Sequence, residues 1–185
     1  HSISIINMSR CTKISLKIHL NFFALGEKKK IRTFYKNSKN DLSSFYKVNI
    51  KSRLFINIKK IKKKNKFING INSPIKIQQD TLSNYFKTKK IKNVDILKID
   101  TQGYDENVLK GLKQKDLKKI KTINLEMNFW DFYEKSNSFL KLEKIIGTHF
   151  DFWDISFLYK NPKFHSVDYM DVTYINKSFK KKITS

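Results

Sequence analysis

The stretch VDILKIDTQGYDENVLKG, residues 94–111, constrains this chain more than any other. VDILKI is a nearly continuous apolar run, suited to a strand buried on both faces, and such strands belong to parallel sheets covered by helices. The run meets Asp100 and Gly103, and Val108, Leu109, Leu112 and Leu117 then recur at near-helical spacing through YDENVLKGLKQKDLKKI. TINLEMNF is the next strand, and the crossover before it is long enough for parallel pairing. SFLKLEKIIGTHF predicts a second helix, with Phe139, Leu142, Ile145 and Ile146 on one side and Gly147 as its cap. FWDISFLYK and YMDVTYIN close the series as two strands suited to antiparallel pairing. Helix, strand, helix, strand defines an α/β class.

The upstream part is less regular. Residues 1–17 alternate weakly and carry no motif, whereas KIHLNFFALGEKKKIRTFYKN predicts a strand, a turn at Gly26, Glu27 and Lys28, and a second strand paired as a hairpin. SKNDLSSFYKVN is a polar loop. RLFINIKKIKKKNKFINGINSPIKIQQ reads as a strand-rich insertion punctuated between Gly70 and Pro74. Its lysine run Lys59–Lys66 has the composition of a solvated edge strand guarded against aggregation, with phosphate contact as the rarer cause. Asp80 is placed to cap a short helix through TLSNYFK.

A formal charge of +23 on 185 residues favours anionic partners, so a basic module binding nucleic acid or another polyanion is the alternative reading. The excess is largely Lys, and it accompanies many Asn, Ile, Phe and Tyr, the residues that an A/T-rich coding sequence favours. A single cysteine, Cys11, forms no internal disulfide and no metal-cluster spacing, which points to a reducing, cytoplasmic setting. No window approaches the roughly 18 to 20 apolar residues of a membrane span. Neither G-x-G-x-x-G nor G-K-[ST] occurs.

In open α/β sheets ligands bind beyond the carboxyl ends of the strands, so Asp100 and the segment Glu126–Asn128 should line one crevice. Carboxylates there can accept a proton from a hydroxyl, orient it, or hold a hard cation. Parallel neighbours would bring Asp100, Glu126 and Asn128 to one edge, a candidate magnesium ligand set. The competing reading makes Asp100 a cap of the next helix, with Asp105 and Glu106 complementing its dipole. Gly103 suits a tight turn with positive φ. His165 and Asp168 precede the last strand, and His165 is a second candidate base, a surface loop histidine being the simpler reading. The aromatics of NFWDFYEKSNSF can stack a sugar or base, or fill a core or lid.

VDILKIDTQGYDENVLKGL, followed by INLEMNFWDFY and ending in MDVTYIN, resembles the FkbM family of methyltransferases and its DxLKIDxEGxExxVLKG pattern. It departs at Gln102 and Asp105, where that family more often has glutamates. LNFFALGEKKKIRTFYK, LSSF and QQDTLSNYF are similar to the family's third strand, serine pair and TLD segment. The resemblance therefore covers residues 18–176, leaving 1–17 unassigned and 177–185 as a basic tail. It implies a Rossmann-like class I sheet, S-adenosylmethionine as cofactor, and O-methylation of a small-molecule or glycan acceptor, often a sugar hydroxyl. By position it puts Ala24 and Leu25 at the adenine edge, and Asp100 and Gln102 near the methionine part. The family's first strand with its DxGANxG loop, and the second strand with its acidic ribose position, are absent from this chain. The sheet is thus expected to lack its first two strands, leaving a neighbour unpaired. The chain is read as the C-terminal part of a longer enzyme, inactive alone.

Overall fold

The computed structural model describes residues 2–6, 24–37, 42–52, 72–129, 132–135 and 139–184. Val94–Asp100 (β5) and Ile120–Asn128 (β6) lie parallel, with Val94 beside Ile120 and Ile99 beside Leu125. Phe150–Lys160 (β7) and Val167–Asn176 (β8) pair antiparallel, and β8 also runs antiparallel to β6. On the far side of β5 lies Ser2–Ile6 (β1), antiparallel, with Ser2 opposite Asp100. The sheet order is β1-β5-β6-β8-β7. The unpaired neighbour expected beside β5 is therefore not found: the N-terminal segment supplies hydrogen-bond partners to that edge.

Strand alternation sorts the side chains onto two faces. Leu97, Ile99, Ile123, Leu125, Val172 and Tyr174 are fully buried, packed with Val108, Leu109, Leu142 and Ile146. The last four come from Asp105–Lys110 (α2) and Phe139–Ile146 (α4), so these helices cover one face. Each such aliphatic side chain contributes roughly 1.5–3 kcal/mol by leaving water. The opposite face carries Lys98, Asp100, Asn124, Glu126, Asp171 and Thr173, all half-buried. Asn124 Nδ2 donates there to Thr173 Oγ1 at 3.1 Å, a cross-strand polar pair.

The helix expected after β5 is two short ones, α2 and Gln114–Leu117 (α3). Gly111 ends the first, and Lys113 is extended at φ −76°, ψ 152°. A Cβ on Gly111 would run into the Gly26 carbonyl oxygen, so two stretches of backbone pass in close contact at this break. Leu82–Thr88 (α1) is capped by Thr81, whose side chain accepts from Asn84 N. Asp80, the expected cap, instead accepts from Thr81 N and Asn84 Nδ2.

A second sheet contains Ala24–Leu25 (β2), Lys30–Lys36 (β3) and Ser73–Asp80 (β4) in the order β2-β4-β3. The predicted hairpin of β2 with β3 does not form, because β4 lies between them, parallel to β2 and antiparallel to β3. The intervening turn is bound to β4: Gly26 N donates to Asp80 O at 2.9 Å and Gln79 Nε2 to Lys28 O at 2.7 Å. Most of the insertion, including Lys59–Lys66, lies outside the described residues. The expected basic tail is an α-helix, Lys177–Thr184 (α5), started by Asn176 Oδ1 accepting from Ser178 N and tied down by Lys180 on Asp151 at 3.0 Å. No helix among the described residues is long and apolar enough to cross a membrane.

Candidate active site at the carboxyl edge of the sheet

The chain leaves β5 through a loop held from several sides. Asp105 is fully buried, and its Oδ1 accepts from Thr101 N at 3.1 Å and Thr101 Oγ1 at 3.0 Å. Its carboxylate thus ties the loop to the first turn of α2. Gln102 and Gly103 are left-handed, at φ 52° and 83°, as the glycine position predicts. Tyr104, the residue before α2, makes no side-chain cap, and Asp100 does not cap the helix either.

Gln102 is the junction of the loop. Its carbonyl accepts from Ser44 Oγ at 2.9 Å, its Oε1 from the Tyr133 hydroxyl at 2.9 Å, and its Nε2 donates to Asp100 Oδ1 at 3.0 Å. One amide therefore links an aromatic hydroxyl to the carboxylate at the strand end. A glutamate at this position has no N–H to offer Asp100.

On β6, Glu126 lies across from Asp171 of β8. Burial raises the Glu126 pKa above the usual carboxylate range. The hydrogen bond from Asn128 Nδ2, at 2.7 Å, and Lys98 work against that, while Asp100 and Asp171 add to it. Lys98 Nζ is 3.7 Å from Asp171, which offsets part of the negative field. The structure thus brings Asp100, Glu126 and Asn128 to one edge, as parallel pairing of β5 and β6 requires. The magnesium reading is not supported: among the described residues no group of three or more His, Cys, Asp or Glu could hold a metal ion. Amide N–H donors of Gln102 and Asn128 already engage Asp100 and Glu126, where a cation would compete for the same oxygens.

His165 belongs to the β7–β8 turn. It is exposed at φ 55°, and its N–H donates to Asn161 O at 2.8 Å. Asp100 and Glu126 hydrogen-bond to Gln102 and Asn128 and not to His165, so its part as a base receives no geometric support. Asp168 is buried beneath that turn, its Oδ2 accepting from Asn161 Nδ2 at 3.4 Å, and burial raises its pKa. Ala24 and Leu25 pair with Gln79 and Asp80. The next residue, Gly26, abuts Gly111 at the C-terminal end of α2, whereas Asp100 and Gln102 precede its N-terminal end. The two regions meet through Gln79, the partner of Ala24, whose Oε1 accepts from the hydroxyl of Tyr104, two residues after Gln102, at 3.1 Å.

Sequence reasoning missed Tyr133, Asp171 and Lys98. The alternation of polar residues in LKID, LEMN and MDVT carried a signal for the last two, since every second position faces the same side. Tyr133 lay within an aromatic segment read as stacking or packing. It forms a small cluster with Phe132 and Val48, and its hydroxyl reaches the loop.

The profile of the methyltransferase FkbM domain matches residues 8–154, and the chain belongs to that family. An uncharacterized protein of Buchnera aphidicola subsp. Schizaphis graminum (strain Sg) is 36% identical across 60% of this chain. The chain spans 13% of that relative's length. No solved structure matches the chain.

Proposed function

We propose that this domain works within a longer enzyme that transfers a methyl group from S-adenosylmethionine to a hydroxyl, a sugar hydroxyl of a polysaccharide or glycosylated metabolite being the acceptor class. The cofactor, when bound, supplies an electrophilic methyl carbon. Asp100 and Gln102 would line it and the acceptor, while Ala24 and Leu25 keep only a positional argument from the family resemblance. The glycine loop would come from outside this chain, so the chain alone is inactive. The lone Cys11 favours a cytoplasmic enzyme.

The observation that carries this reading is the paired carboxylates at the ends of two parallel strands in an FkbM domain. A hydroxyl is a weak nucleophile at neutral pH, and a nearby base must take its proton as the new bond forms. Asp100, held by Gln102, orients the hydroxyl and accepts the proton. Glu126, whose burial raises its pKa above the usual carboxylate range, stands on the neighbouring strand as a second acceptor for the proton. His165 stays second to both. A polyanion-binding role is disfavoured by the acids Asp100, Glu126 and Asp171 on the polar face of the sheet, which repel phosphate.

The test is Asp100→Asn in the full-length protein. The variant keeps the shape and loses the charge, and turnover should fall about 10²-fold or more with the fold retained. Wild-type turnover in that variant would overturn the assignment.

A further inference from the structure

β7 is the outer strand of the five-stranded sheet, with β8 on its inner side. Phe152, Trp153, Ile155, Phe157, Leu158 and Tyr159 are between 39% and 49% exposed along it. They occupy both faces: Phe152, Ile155 and Leu158 stand beside Tyr174, Val172 and Met170, whereas Phe157 and Tyr159 stand beside Asp171 and Tyr169. A helix or loop laid on one face would leave the other face wet. An occupant that flanks the strand edge-on contacts side chains of both faces.

We propose that the occupant is a second copy of this chain, docked antiparallel along β7 about a two-fold axis at Phe157. The charges support self-pairing. Asp154 lies three residues before Phe157 and Lys160 three after it, both exposed. Antiparallel pairing centred on Phe157 therefore puts each Asp154 across from Lys160 of the second copy, and the two aromatic rings against each other. Unlike charges opposite one another favour that register, and the contact is closed because the same patch serves on both sides.

The area is sufficient. Half of each of six large side chains offers roughly 500 Å² per copy, or roughly 1,000 Å² in all, which reaches the lower bound for a specific interface. Register shifts at Phe152/Asp154, Ile155/Phe157 and Tyr159/Lys160 break the outer edge into short segments. Bulges of this kind discourage indefinite edge-to-edge growth, and side-chain contact rather than an unbroken ladder carries the pairing.

Sedimentation equilibrium of the 185-residue chain across a concentration series tests the proposal. Salt is kept at or above physiological strength, because the net charge of +23 opposes association when unscreened. A saturating monomer–dimer equilibrium is expected. Asp154→Lys or Lys160→Glu alone should raise the dissociation constant about tenfold or more, and the two together should restore it to within about threefold of the parent. These exposed sites leave the core untouched, and circular dichroism checks the fold. A monomer at every concentration would overturn the proposal and assign the strand to another partner. A dimer indifferent to both reversals, or open-ended aggregation, would overturn it as well.

Discussion

Glu126 and Asp171 face each other across the β6–β8 pair, two acids on neighbouring strands with Lys98 reaching the second of them at 3.7 Å. Like charges directly opposite in a sheet are unfavourable, and burial adds to the strain on Glu126. The arrangement keeps basic carboxylate character close to Asp100 at a cost in stability.

That cost has a definite sign with pH. The folded-state pKa of Glu126 is raised, so its contribution to stability is fully present below the unfolded value, about 4.3, and is lost as pH rises through the folded value. Glu126→Gln removes the loss. Urea denaturation at pH 4 and pH 7 should show the variant gaining on the parent as pH rises. A variant-minus-parent stability that stays constant or falls between the two pH values would contradict the burial argument.

Tyr133→Phe removes one donor from Gln102 while preserving the aromatic packing on Phe132 and Val48. A loss of about 1 kcal/mol in stability is expected, the usual worth of such a bond. In the full-length enzyme, turnover should also fall, since Gln102 then holds Asp100 less firmly. Unchanged stability together with unchanged turnover would remove Tyr133 from the site.

Two glycines that touch through their turns should differ in tolerance. Gly111→Ala drives a methyl group against the backbone oxygen of Gly26 and should cost about 2 kcal/mol or more. Gly26→Ala meets the end of the Gln79 side chain at 2.5 Å, a group that can give where backbone cannot, but only by loosening its bonds to Lys28 O and the Tyr104 hydroxyl. Its cost should be about 1 kcal/mol. Thermal melts of the two variants give the order, and a reversed order would refute the contact.

Metal removal provides a separate check. The amides of Gln102 and Asn128 engage Asp100 and Glu126 with N–H donors. Methyl transfer by the full-length enzyme should therefore remain within about twofold after exhaustive chelation, a choice made against cation-assisted deprotonation. Restoration by magnesium of an activity lost to chelator would reinstate the ion.

The strands and their directions were legible wherever an apolar run was long, as in VDILKI and TINLEMNF, because burial on a two-fold alternation leaves a strong pattern. Gly103 was legible from its place after a strand end. The β2–β4–β3 order was not, since Ala24 and Leu25 are too few to reveal a partner in Ser73–Asp80 across an insertion. Nor was the break at Gly111, where the backbone of Gly26, from a distant segment, passes in close contact. At the site, Asp100 and Glu126 were found through the strand-end rule, but the tie between Tyr133 and Gln102 depends on a 31-residue separation that no local spacing encodes.

The pairing of Ser2 with Asp100 fixes where the amino-terminal strand meets the site. An addition ahead of Ser2 leaves the sheet beside the Asp100 loop. Asn176 Nδ2, by contrast, bonds Ile120 O at the start of β6, so α5 departs from the opposite rim. An affinity tag or fusion partner on the amino side would stand in the doorway of the Asp100 loop, whereas one carried after α5 would leave it open.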